Sequence, residues 1–151
     1  MKTLVVYYSR TGNTKMIAES ISKTAKADLC EIQCKNYGGF FGYIRAGFQA
    51  GFKKKPPIKI NKNSDNYDLV IIGTPNWGSK MASPVRSFIS NRSFKKIALF
   101  CVQGGMGGLR ILDDLEKTIK KKAISKMIIN QKDIDSGSYK DKVKGFCGKL
   151  K

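Results

Sequence analysis

The sequence predicts a doubly wound α/β domain: a five-stranded parallel sheet with helices on both faces, an α/β/α sandwich. Three observations predict it. Strand-length apolar runs recur along the chain, and each is continuous rather than alternating, as strands buried on both faces require. Between these runs apolar residues recur at spacings of three and four, the period of one helix face. Strand and helix patterns alternate five times, and right-handed crossovers leave few ways to wind such a chain.

The first strand is Leu4-Val5-Val6-Tyr7-Tyr8, and Ile17, Ile21 and Ala25 mark the helix after it. A weaker strand follows at Leu29-Cys30-Glu31-Ile32. Residues 36–66 are irregular and contain YGGFFGYIRAGFQAGFKKKPP; the aromatics Tyr37, Phe40, Phe41, Tyr43, Phe48 and Phe52 are expected on a helix packed against the sheet, with the wall of a substrate pocket as the alternative. Asp68-Leu69-Val70-Ile71-Ile72-Gly73 is a strong strand. Ser83-Pro84 then places an N-cap hydroxyl before a proline at the first helical position, opening a helix through Val85, Phe88 and Ile89. Ile97-Ala98-Leu99-Phe100-Cys101-Val102 is the next strand, with a helix through Leu112, Leu115 and Ile119. Lys126-Met127-Ile128-Ile129 is the last and weaker strand, and Tyr139, Val143, Phe146 and Leu150 share the final helix face.

A chain of 151 residues with 41% hydrophobic content supports one core, so one domain over residues 1–151 is expected. The net charge of +18 favours anionic partners. It is carried throughout: 12 basic and 5 acidic residues lie up to position 75, and 17 and 6 beyond it. Lys53-Lys54-Lys55 and Lys120-Lys121-Lys122 read as solvated faces, which leaves weak association with anionic surfaces open while no specific nucleic-acid binding is expected. With no histidine and no paired C-x-x-C among Cys30, Cys34, Cys101 and Cys147, zinc and iron-sulfur sites are unsupported. Cys101 is expected to be packing, and Cys30 and Cys34 to stay unbonded in a reducing cytosol. The first apolar run is too short for a signal segment and no run has the length of a membrane span, so a cytoplasmic protein is expected.

In sheets of this kind ligands bind beyond the carboxyl ends of the strands, so the residues after each strong strand carry the functional information. After the first comes Ser9-Arg10-Thr11-Gly12-Asn13-Thr14. Its hydroxyls are donors, Gly12 permits a tight turn, and the N–H groups of Asn13 to Lys15 open a helix. The combination is either a phosphate cradle or an ordinary polar turn with a helix cap. It matches neither G-x-G-x-x-G nor G-x-x-x-x-G-K-[ST]. After the second comes Thr74-Pro75-Asn76-Trp77-Gly78-Ser79-Lys80-Met81, whose tryptophan is the chain's only one and is either a core plug or an aromatic plate for a flat ligand, the plate being favoured where the neighbouring glycine leaves room beside it. After the third comes Val102-Gln103-Gly104-Gly105-Met106-Gly107-Gly108, where four glycines in five residues expose backbone to a neighbour.

Together these loops resemble those of the flavodoxins and flavodoxin-like domains, which bind flavin mononucleotide (FMN). YSRTGNTKMIAESI is similar to the family's T/S-x-T-G-N-T phosphate motif. IIGTPNWGSKMASPVRSFI resembles its G-T-P-x-W-x-G loop followed by P-P-V-R-x-F, and the third loop resembles the Gly-rich segment bordering the isoalloxazine. The resemblance covers nearly the whole chain in the same order. It implies FMN as cofactor, with Ser9, Thr11, Gly12, Asn13 and Thr14 on the phosphate; Arg10 shares that loop but is expected in solvent, like Lys15. It places Thr74, Pro75, Asn76, Trp77 and Gly78 against the ring, the Gly78 peptide turning at flavin N5. Gln103, Gly104, Gly105, Met106 and Gly107 fall on the pyrimidine side. A dianion held by neutral donors accounts for the density of Ser and Thr. Two departures stand out: Met106 where many members have tyrosine, and a basic surface where many flavodoxins are acidic.

The resemblance implies an electron-transfer protein shuttling between redox partner proteins, whose acidic surfaces would suit this charge. The alternative is an FMN-dependent oxidoreductase acting on a quinone or protoporphyrinogen. Without histidine, acid-base chemistry near neutral pH falls to cysteine, lysine or carboxylate, which favours the carrier. The positive charge is expected to stabilise anionic reduced flavin and raise the last one-electron potential, an effect that salt must screen.

Overall fold

Five parallel strands form one sheet in the order β2-β1-β3-β5-β6, where β1 is Thr3–Tyr7, β2 Asp28–Glu31, β3 Leu69–Trp77, β5 Lys96–Gln103 and β6 Lys126–Asn130. A two-residue strand, β4 (Lys80–Met81), pairs antiparallel with the end of β3. The computed structural model describes residues 1–35 and 55–151. The expected aromatic helix through Tyr37, Phe40, Phe41, Tyr43, Phe48 and Phe52, and Lys53-Lys54, lie outside the described residues. Among the described residues the α-helices are α1 (Asn13–Ala25), α2 (Ser83–Ile89), α3 (Gly108–Ile119), α4 (Gln131–Ser136) and α5 (Tyr139–Gly148). Among the described residues no helix is long and apolar enough to cross a membrane.

The continuous apolar runs are explained by burial on both faces. Leu4, Val6, Val70, Ile72, Ile97, Leu99 and Cys101 point to one side and pack under Val85, Phe88 and Ile89 of α2 and Ile111, Leu112 and Leu115 of α3. Val5, Tyr7, Leu69, Ile71, Ala98, Phe100 and Val102 point to the other, under Ile17, Ala18 and Ile21 of α1 and Val143 and Phe146 of α5. The α/β/α sandwich of the flavodoxin-like fold follows. The chain runs outward from β1 to β2 and then returns across β1 to β3, so the winding direction reverses between β1 and β3. Such a switch point opens a crevice at the carboxyl ends of the strands.

Three details differ from the sequence reading. The second strong strand continues past Gly73 to Trp77, because β3 and β5 stay in register as far as Pro75 opposite Val102. The turn is made by Gly78 and Ser79, both at positive φ (58° and 63°), which closes a two-residue hairpin onto β4. Second, α2 begins at Ser83 itself with Ala82 as its flanking residue, and the Ser83 hydroxyl makes no capping bond. Third, α4 was absent from the apolar pattern; it is a short helix started by a reciprocal capping box between Asn130 and Asp133.

Candidate functional site

The first loop leaves β1 at Tyr7 and becomes α1 through Gly12, which sits at φ 105° with open space where a Cβ would lie. The Gly12 N–H donates to Ser9 Oγ at 3.1 Å, folding the loop back on itself. Among the described residues no side chain caps α1, and no acidic residue lies in its first turn. The helix thus presents free N–H groups and the positive end of its dipole to the crevice, with no carboxylate to oppose an anion. Ser9, Arg10 and Asn13 are half-buried, Thr11 and Gly12 exposed, and Thr14 buried. Asn13 Nδ2 donates to Gln131 Oε1 at 3.0 Å, tying this loop to the start of α4.

The second loop is built differently. Thr74 is fully buried and its hydroxyl accepts the Ala82 N–H at 2.9 Å, so it braces the start of α2 beneath the hairpin. Trp77 is 8% exposed, belongs to the α2/α3 side of the core, and meets Tyr8 edge to face with ring centroids 5.5 Å apart at 88°. Of the two arrangements the sequence left open, the indole adopts the core plug. Gly73 lies against the Phe100 ring so closely that a Cβ would overlap it. Gly78 is exposed at the hairpin tip and Pro75 half-buried.

The third loop is joined to the second by side-chain amides. Asn76 Nδ2 donates to the Met106 carbonyl at 2.8 Å and to Gln103 Oε1 at 3.2 Å, while Asn76 Oδ1 accepts the Ser79 N–H at 2.8 Å. Gln103 Nε2 in turn donates to Asn130 Oδ1 at 2.9 Å, its register partner on β6. A line of amides therefore crosses the rim from β3 to β6, and the Gln131–Asn13 bond links the start of α4 to the first loop. Gly104 and Gly105 are exposed with open space beside them. Gly107 packs so closely that a Cβ would stand 2.7 Å from Ser79 Oγ. The Met106 side chain is 87% exposed.

The sequence reading missed Asn130, Gln131, Ser79 and Tyr8 as members of this rim. For Asn130 a signal existed: Asn three residues before Asp133 is a helix-start pattern. Cys101 is fully buried, and burial pushes its thiol up to about 12, so it is packing as expected. All four cysteines are free.

Fold and rim together define a flavodoxin-like α/β protein. A model of the flavodoxin family matches residues 2–149, and the chain belongs to that family. The crystal structure of a flavoprotein in complex with FMN from Lactobacillus acidophilus NCFM is similar at TM-score 0.71 and 25% identity, over 91% of this chain and 98% of that one. A second solved structure, from Bacteroides eggerthii DSM 20697, is similar at TM-score 0.74 and 26% identity, over 90% of this chain and 94% of that one. Among curated proteins, an NAD(P)H dehydrogenase (quinone) of Cupriavidus metallidurans is 25% identical over 89 residues, which are 58% of this chain and 45% of that protein. The chain spans less than half the length of the curated relatives it matches.

Proposed function

We propose that this chain is a single flavodoxin-like domain, cytoplasmic, that binds FMN at the carboxyl rim of its sheet and carries electrons between redox partner proteins with acidic surfaces. The first turn of α1 carries the reading. It offers uncapped N–H groups, the exposed hydroxyl of Thr11 and the half-buried one of Ser9, with no carboxylate in that turn, and a phosphate dianion fits that donor set. Ser9 Oγ accepts from Gly12, which leaves the hydroxyl proton to point at an anion. On this reading Ser9, Thr11, Gly12, Asn13 and Thr14 grip the phosphate and Arg10 adds charge beside it. Asn76, Gly78, Gln103, Gly104, Gly105, Met106 and Gly107 border the ring, with Thr74, Pro75 and Trp77 supporting them from beneath. When bound, FMN supplies one- and two-electron chemistry. The protein's share is grip, exclusion of water and a positive surround of +18.

The test is direct. Purified protein is expected to be yellow, to release FMN on denaturation, and to take up electrons in two separated one-electron steps during reductive titration. Absence of phosphorylated flavin after reconstitution with excess FMN would sink the reading. A second reading, an FMN-dependent oxidoreductase acting on a small molecule such as a quinone, draws support from the quinone dehydrogenases among the relatives. Steady oxidation of NADH by this protein with an added quinone, and no partner protein, would select it.

A further inference from the structure

A groove of about 560 Å³ lies between the β3–β4 hairpin and the outer face of α3, lined by Ser79, Lys80, Leu109, Arg110, Lys117 and the carboxylates Asp113 and Asp114. Both carboxylates are already committed. Asp113 Oδ1 accepts from Lys126 Nζ at 2.9 Å, and Asp114 Oδ2 pairs with the buried Arg86 guanidinium at 3.4 Å. Lys80, Arg110 and Lys117 have no carboxylate partner among the described residues. Three uncompensated cations are therefore held around Leu109, which is 59% exposed, with Met106 at 87% three residues earlier. These two are among only four large hydrophobic residues exposed among the described residues. The groove abuts the proposed cofactor loops through Ser79, whose N–H is held by Asn76 and whose hydroxyl packs on Gly107.

We propose that this groove is the docking surface for an acidic redox partner protein, a placement that rests on the electron-transfer reading above. An exposed apolar centre with a charged rim is the composition of a transient protein interface. Carboxylates of the partner meet Lys80, Arg110 and Lys117 while an apolar side chain covers Leu109. Arg110 and Lys117 stand two turns apart on α3, about 10 Å along its axis, a spacing that suits dispersed carboxylates better than a single phosphate.

The test uses cytochrome b5, an acidic haem protein, titrated at low ionic strength into isotope-labelled protein followed by NMR. Amide shifts are expected at Ser79, Lys80, Met106 to Arg110 and Lys117. The double reversal R110E/K117E should weaken the complex about tenfold, and K140E/K144E, the same change of charge on α5 across the sheet, less than twofold. Shifts centred on Lys120 to Lys122 or on α5, or equal weakening by both double variants, would overturn the proposal in favour of net charge alone. Saturation of the groove by micromolar 2′,5′-ADP, lost in R110E/K117E, would overturn it in favour of a phosphorylated small molecule. This readout needs no flavin, so failure to bind FMN would sink the function proposed above and leave the footprint standing. In FMN-loaded protein reduced with dithionite, one electron passes from reduced flavin to ferric haem, giving ferrous haem. That rate should fall about tenfold in R110E/K117E, with transfer to a neutral quinone unchanged.

Discussion

The first loop and the β3–β4 hairpin occupy the same rim and spend their residues in opposite ways. In the first, Ser9, Thr11 and the N–H groups that open α1 lie at the crevice, the Gly12 N–H held by Ser9 Oγ. In the second, the polar side chains of Thr74 and Asn76 are already partnered within the protein: Thr74 with Ala82, Asn76 with Ser79, Met106 and Gln103, while Trp77 sits in the core against Tyr8. Donors held ready for an anion add little to folding, because water satisfies them when no anion is there. Groups bonded to each other fix the rim's shape. On the proposed reading, the first loop is a binding device, and the hairpin is first a structural one.

Replacing Trp77 with alanine tests this division most severely. Deleting an indole that is 8% exposed removes its burial and leaves a cavity beside Tyr8, a loss of about 3–5 kcal/mol in chemical denaturation. If the variant keeps wild-type stability and loses FMN affinity instead, the indole serves the ligand and the contrast fails.

Glu116, remote from both loops, sets the next largest effect and acts as a control. Its carboxylate is 5% exposed; burial pushes its pKa up, but the Ala123 N–H and the Lys126 and Lys122 ammoniums outweigh that and hold it at about 2, against an ordinary 4.5. A depressed folded value stabilises the protein above pH 4.5, and that contribution disappears as pH falls toward 2. Its size is about 3 kcal/mol. Acid denaturation should accordingly show Glu116→Gln less stable at neutral pH and flatter between pH 4.5 and 2. Asp68, lowered by the Lys2 N–H and Lys95, and Asp133, lowered by Lys142 and the Asn130 N–H, push the same way. No first-loop donor ionises in that window.

Asn76→Ala falls between the two regions. It removes three hydrogen bonds that join hairpin, third loop and β5, so a loss of about 1–3 kcal/mol is expected. FMN affinity should fall with it, because the Met106 carbonyl and the Ser79 N–H lose their tether. Unchanged thermal stability with unchanged affinity would mean that the amide line across the rim is dispensable.

What was legible in sequence follows the same division. The runs through Leu4 to Tyr8, Leu69 to Ile72 and Ile97 to Val102 announce strands because burial on both faces removes the polar alternation that would blur them. The turn and helix start of the first loop are legible because they depend on one glycine and on local spacing. The hairpin is not, since Pro75 and Asn76 read as loop until pairing with β5 carries the strand to Pro75 and pairing with β4 carries it on to Trp77. Nor was the indole's fate decided locally; it packs in the core against Tyr8, 69 positions away. Asn130 joins the rim only through its register with Gln103. The helix α4, six residues long with Ile134 as its one aliphatic residue, is too short for a period to appear.

Ser9→Ala should have the smallest effect on folding and the most selective effect on ligand. Ser9 is half-buried and, among the described residues, its hydroxyl accepts only the Gly12 N–H, so stability should change by no more than about 1 kcal/mol. A donor removed from a phosphate should weaken FMN about tenfold, or about 1.4 kcal/mol. Riboflavin, which has the ring and no phosphate, should bind wild type and variant equally. Isothermal titration with both flavins decides the matter. Parallel losses for the two would mean that Ser9 shapes the crevice rather than gripping phosphate, and the distinction between a ligand-facing loop and a self-bonded hairpin would have to be abandoned.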